Sequence, residues 1–100
     1  MTAADPTIAD LDIEPTVSAR EAAVLLGRSY SWLDQRVRNG QFVRPDGSVV
    51  RPLRTTGGYR RFTTEMLKDI ATSSYRQHWF SAEQVKITFF ELAMAAYSDS

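Results

Sequence analysis

The chain has no cysteine and a single histidine, His78, among its 100 residues. Without cysteine, disulfides and thiolate metal sites are excluded. One imidazole also argues against a histidine metal cluster or a Ser–His–Asp triad. No apolar run approaches the roughly 20 residues that span a bilayer, and the first residues lack a signal-peptide pattern. A Gly-rich phosphate loop is missing, and no residue has an acid–base partner nearby in sequence. Neither enzymatic activity nor a cofactor is expected, and the cytoplasm is the default location. Hydrophobic residues make up 43% and charged residues 24%, the range of one small globular domain with a modest core.

Net charge is absent too, but only in the total. Residues 1–15 carry Asp5, Asp10, Asp12 and Glu14 with no base. Residues 16–62 carry nine arginines against Glu21, Asp34 and Asp46, and residues 63–100 are mildly acidic. A basic middle between acidic ends points to a polyanionic partner, although a solvated surface can be basic by accident.

The stretch 1–15, with two prolines and no sustained period, reads as a disordered acidic tail. Regular structure begins at "TVSAREAAVLLGRS". Ser18 and Glu21 form a capping box, Ala22, Ala23 and Leu26 share a face, and Gly27 suits the left-handed end, so a helix is predicted over 19–26. Ser29 offers a second N-cap and Gly40 a stop, giving a helix over 30–39. Two short helices joined by so tight a turn cross steeply, the helix-turn-helix arrangement. In the second, Tyr30, Leu33 and Val37 are expected in the core. The opposite arc holds Ser31, Trp32, Gln35 and Asn39, flanked by Arg36 and Arg38. That arc either faces solvent or lies in a major groove. Trp32 is expected to pack on something instead of touching a base.

Beyond Gly40 the pattern turns extended. "QFVR" is a strand candidate, "PDG" a turn, and "SVVRPLR" a second extended run. In "RTTGGYRRF", Thr55, Thr56, Gly57 and Gly58 make a tight tip and "YRRF" a return strand. Glycines at such a tip let the backbone approach a narrow groove, and Arg54, Arg60 and Arg61 beside it suit phosphates. Thr63 caps a third helix with Met66, Leu67 and Ile70 buried. The fold class expected for residues 16–80 is therefore α+β, a small winged helix-turn-helix, with an additional C-terminal helix over 81–100.

"LGRSYSWLDQRVRNGQF" followed by "RTTGGYRRFTTEML" resembles the MerR-like winged-helix domains, and among them the small phage excisionases, or recombination directionality factors. The likeness covers about residues 16–71 and is similar in length and arrangement to the mycobacteriophage type. It implies an accessory, DNA-bending protein that binds neighbouring sites on phage attachment DNA and steers an integrase, by resemblance a tyrosine recombinase, toward excision. Carried onto this chain, the recognition helix presents Ser31, Gln35, Arg36 and Arg38, and the wing presents Arg54, Thr55, Thr56, Gly57, Gly58, Arg60 and Arg61. Three features depart from the pattern. Arg28 stands where valine is common, which exposes the turn or adds a phosphate contact. Asp34 stands where a base is common; it accepts from cytosine, faces the first helix, or weakens binding. The segment from Gly40 to Gly57 is long.

A last helix is predicted over 82–97. Val85, Phe89, Leu92 and Ala96 form one stripe, and Ile87, Phe90, Met94 and Tyr97 another. Either both stripes pack on the first and third helices with Trp79 and Phe80, or one docks a neighbour. Ile87, Phe89, Phe90, Leu92, Met94 and Tyr97 are the candidates for self-association or partner contact. The helix is too short for the coiled coil that pairs MerR-type regulators, which favours head-to-tail assembly on DNA. Two other readings stand beside the excisionase: a small transcriptional regulator, and an adaptor docking a protein through its last helix.

Overall fold

The computed structural model describes residues 16–98, with side chains through Ala95. The expected acidic tail 1–15 and the side chains of Ala96 and Tyr97 lie outside the described residues. The elements are β1 (Thr16–Ser18), α1 (Ala19–Leu26), α2 (Tyr30–Arg38), β2 (Leu53–Arg54), β3 (Arg60–Thr63), α3 (Thr64–Arg76) and α4 (Ala82–Ser98). Among the described residues this is an α+β fold of four helices and an antiparallel sheet in the order β1-β3-β2.

Hydroxyl side chains start each helix. Ser18 Oγ accepts from the Glu21 N–H and Glu21 Oε1 accepts from the Ser18 N–H, both at 3.1 Å, which closes the capping box. Ser29, Thr63 and Ser81 accept from the N–H groups of Trp32, Met66 and Gln84. Gly27, at φ +69°, reverses the chain after α1, so only residues 27–29 separate α1 from α2.

β1 is a strand that the sequence pattern did not reveal. Thr16 pairs with Thr63, Val17 with Phe62 and Ser18 with Arg61, so β3 lies in the middle of the sheet. On its other side Leu53 faces Arg61 and Arg54 faces Arg60, the stem of the glycine-tipped hairpin. "QFVR", expected as a strand, makes only the isolated bridge Val43–Val49. Two backbone bonds flank that bridge, Arg44 N–H to Ser48 O at 2.8 Å and Val50 N–H to Phe42 O at 2.9 Å. Val43 N–H donates to Ser73 Oγ at 3.0 Å, and Asp46 Oδ1 shapes the turn by accepting from Ser48 N–H at 2.9 Å.

The core gathers residues from most elements: Ala22, Ala23 and Leu26 of α1, Leu33 and Val37 of α2, Phe62 of β3, and Leu67, Ile70 and Ala71 of α3. Phe42, Val50 and Phe80 enter from the connections. Leu92, proposed above as a partner contact, is instead 3% exposed and belongs to this core. α4 packs by its Val85, Thr88 and Leu92 face, and Gln84 Nε2 ties it to the end of α1 by donating to Leu26 O at 3.3 Å. Ile87, Phe90 and Met94 lie on its exposed side. Phe89, named among the candidate partner contacts, is also exposed, at 37%.

Candidate nucleic-acid interface

At 100° per residue, α2 divides into strips. Leu33 and Val37 form the buried one. Tyr30 was expected with them but is 40% exposed. As the first residue of the helix it projects past the edge of the core, and the Arg20 guanidinium lies over its ring, 4.8 Å from the centroid. Ser31, Gln35, Arg38 and Asn39 form an exposed strip along the outside. Two flanks border that strip, and both are built from arginine and aromatic rings.

On one flank, Trp32 stacks on Phe80 at a centroid distance of 5.8 Å and meets Trp79 edge-on at 6.1 Å. It therefore packs, as expected, against these rings and Phe42. Arg36 lies 4.7 Å from the centroids of both Trp32 and Trp79. Arg28 covers Phe80 at 4.6 Å and donates to Trp79 O and Gly27 O. Arg28 thus fastens the α1–α2 turn to the chain entering α4. Both side chains, expected at a DNA surface, are largely engaged inside the molecule.

The other flank faces the hairpin. Asp34 accepts from Arg60 Nη1 and from Arg38, whose Nη2 stands 2.9 Å away. The hydrogen bond from Arg60 and the charges of both arginines hold the Asp34 carboxyl below its usual range. Asp34 therefore faces the hairpin, not the first helix. The Arg60 side chain is only 13% exposed, so this pair welds α2 to the hairpin stem. Arg61 turns along the sheet and donates to Thr16 Oγ1 and Thr16 O, at 3.1 and 3.0 Å.

What remains at the surface is the tip and its neighbours. Arg54 is exposed and its Nη1 donates to Gly58 O at 2.9 Å, bracing the turn. Thr55 closes the turn by donating its N–H to Tyr59 O and accepting from Gly58 N–H. Thr56, Gly57 and Gly58 are exposed. Gly58, at φ +86°, needs to be glycine for its backbone, whereas a Cβ on Gly57 would stand 3.2 Å from the Tyr59 ring. The double glycine thus serves both the turn and the ring folded onto it. Arg38, 66% exposed, extends the same basic surface along α2.

Ser31, Gln35, Arg38, Arg54, Thr56, Gly57 and Gly58 are therefore presented to solvent, while Arg28, Arg36, Arg60 and Arg61 are held by internal partners. Arg20, Tyr30 and Tyr59 were missed as surface features. Tyr59 stood inside the glycine motif and was readable there; Arg20 beside Tyr30 depends on how α1 and α2 cross. No helix among the described residues is long and apolar enough to cross a membrane. No curated protein and no solved structure matches the chain. A family model described as a domain of unknown function, DUF7229, matches residues 7–95, and the chain belongs to that family.

Proposed function

We propose that this protein binds duplex DNA as a winged helix-turn-helix, with α2 in the major groove and the glycine-tipped hairpin as the wing on the neighbouring minor groove or its phosphates. The observation that carries the reading is the coupling of these two elements. The exposed strip Ser31–Gln35–Arg38 and the tip Arg54–Gly58 belong to elements joined by the Arg60–Asp34 pair, so they meet a ligand as one rigid unit. Groove and backbone contacts from two connected elements give register as well as affinity.

The role is architectural and non-catalytic, in the bacterial cytoplasm, of the excisionase kind: adjacent copies on attachment DNA direct an integrase, by resemblance a tyrosine recombinase, toward excision. The exposed α4 residues Ile87 and Phe90 supply the protein contact in that assembly, either with the next copy head to tail or with the integrase. Bending the duplex along such a row costs on the order of 1–6 kcal/mol, which the added contacts offset.

Footprinting on attachment-site DNA, with and without the integrase, tests the proposal. Tandem direct protection supports it. A palindromic footprint assigns the same domain to transcriptional regulation, and absence of binding to any duplex at low ionic strength removes the DNA reading altogether.

A further inference from the structure

Between the hairpin and the helix pair lies an open cleft of about 540 Å³, lined by residues from α1, α2 and the hairpin. Four arginines border it, Arg20, Arg54, Arg60 and Arg61, against the single carboxylate of Asp34. That carboxylate is already shared between Arg60 and Arg38. Two phenol rings, Tyr30 and Tyr59, complete the lining. The cleft is therefore cationic where it is open, with its one anion already neutralised. Its flat rings suit a sugar, and their hydroxyls can donate to an oxyanion.

We propose that this cleft seats one backbone phosphate of the duplex, at the strand crossing between the groove filled by α2 and the groove met by the hairpin. Arg20 supplies the principal cation from the α1 side and Arg54 the second from the hairpin. Tyr30 and Tyr59 line the walls, against the flanking deoxyriboses. The assignment rests on the duplex-binding reading and deepens it, because it names a contact from α1, an element outside both the α2 strip and the hairpin. Arg20 suits the part: it is exposed, and its contact with the Tyr30 ring need not be lost on meeting a phosphate. Arg60 and Arg61 form the back of the cleft and hold its shape by their bonds to Asp34 and Thr16.

The experiment is a methylphosphonate walk. Duplexes carrying one neutral linkage at a time are titrated with the wild-type protein and with Arg20→Ala. At one linkage per site the wild type should lose about tenfold in affinity, the size of one charge-assisted contact. Arg20→Ala should lose a similar factor on unmodified DNA and nothing further at that same linkage. Its unfolding midpoint should match the wild type, since Arg20 lies on the surface. Wild-type affinity in Arg20→Ala on unmodified DNA, or additive losses at every linkage, would overturn the assignment while leaving duplex binding intact. A wild-type protein that ignores all duplexes would overturn both.

Discussion

Arginine meets aromatic rings on both flanks of α2, to opposite ends. On one side Arg28 and Arg36 lie flat on Trp32, Trp79 and Phe80, and the indoles touch one another and Phe42. On the other, Arg20 lies over Tyr30, and the Tyr59 ring lies beside Gly57. The first group is packed because its rings converge from α2, from the segment after it and from the segment before α4, with Phe42 and Phe80 buried and both indoles partly so. The second stays open because its rings are tyrosines at the first turn of a helix and the tip of a hairpin, where little chain is near. The same pair of residue types therefore gives a structural clasp in one place and a cleft in the other. Cation–π contact by itself does not identify a binding site; what surrounds it does.

The closed flank should respond to truncation as a core does. Phe80 is buried beneath Arg28 and against Trp32, so Phe80→Ala should cost about 3–5 kcal/mol, read from urea unfolding. That is a large share of the roughly 5–15 kcal/mol that holds a domain together. A loss under about 1 kcal/mol would mean that the clasp is as dispensable as the cleft, and the contrast would fail.

Arginine substitutions sharpen it further. Arg36→Ala should destabilise the fold by about 0.5–2 kcal/mol, because the partly buried guanidinium bridges two indoles. Arg38→Ala should leave stability within about 0.5 kcal/mol, since its ion pair with Asp34 lies at the surface. On the proposed duplex-binding reading, the log–log salt slope should shrink by about 0.9 for one lost phosphate contact. If Arg36→Ala changed the slope and not the stability, the clasp would be part of the interface after all.

Asp34 joins the open flank to α2 and predicts a reversal of sign. Asp34→Asn frees Arg60 and Arg38, so binding to random duplex should tighten and its salt dependence steepen, while discrimination between sites falls as the hairpin loosens. Weaker binding to every sequence would make Asp34 a reader and not a brace. Acid gives a second check. The folded carboxyl titrates below the unfolded value of about 3.9, so its stabilisation is present above that pH and is lost as pH falls through the folded pKa. Unfolding midpoints of wild type and Asp34→Asn should therefore differ near neutrality, begin to converge only below about pH 4, and meet once the pH has fallen past the folded pKa.

How much of this was readable in advance follows from distance along the chain. The caps at Ser18, Ser29 and Thr63 act within three residues, and each helix start was placed from sequence. The hairpin turn at Gly58 is equally local. β1 escaped because three residues running straight into a capping box show no alternation, and their partner is more than forty residues away. The internal partners of the arginines were hidden for the same reason. Asp34 and Arg60 lie 26 positions apart, Arg28 and Trp79 lie 51 apart, and no spacing rule joins them. A cluster of arginines by a glycine tip is a statement about charge, whereas which guanidinium is free depends on tertiary partners.

The smallest effect on the fold is expected at the outer face of α4, and it separates the two sides of that helix. Leu92 cannot test assembly, because burying glutamate there would unfold the domain before any neighbour was consulted. Phe90, 62% exposed on the same helix, can. Phe90→Ser removes apolar surface that the described fold leaves largely in water, so the unfolding free energy should move by no more than about 0.5 kcal/mol. Occupancy of a single isolated site should also be unchanged, since α4 does not line the cleft. Binding to two adjacent sites should lose its cooperativity, or the integrase its enhancement, depending on which neighbour the ring contacts. A destabilisation of 2 kcal/mol or more would place Phe90 in its own core alongside Leu92. α4 would then be structural on both faces, and the contact between proteins would have to be sought elsewhere.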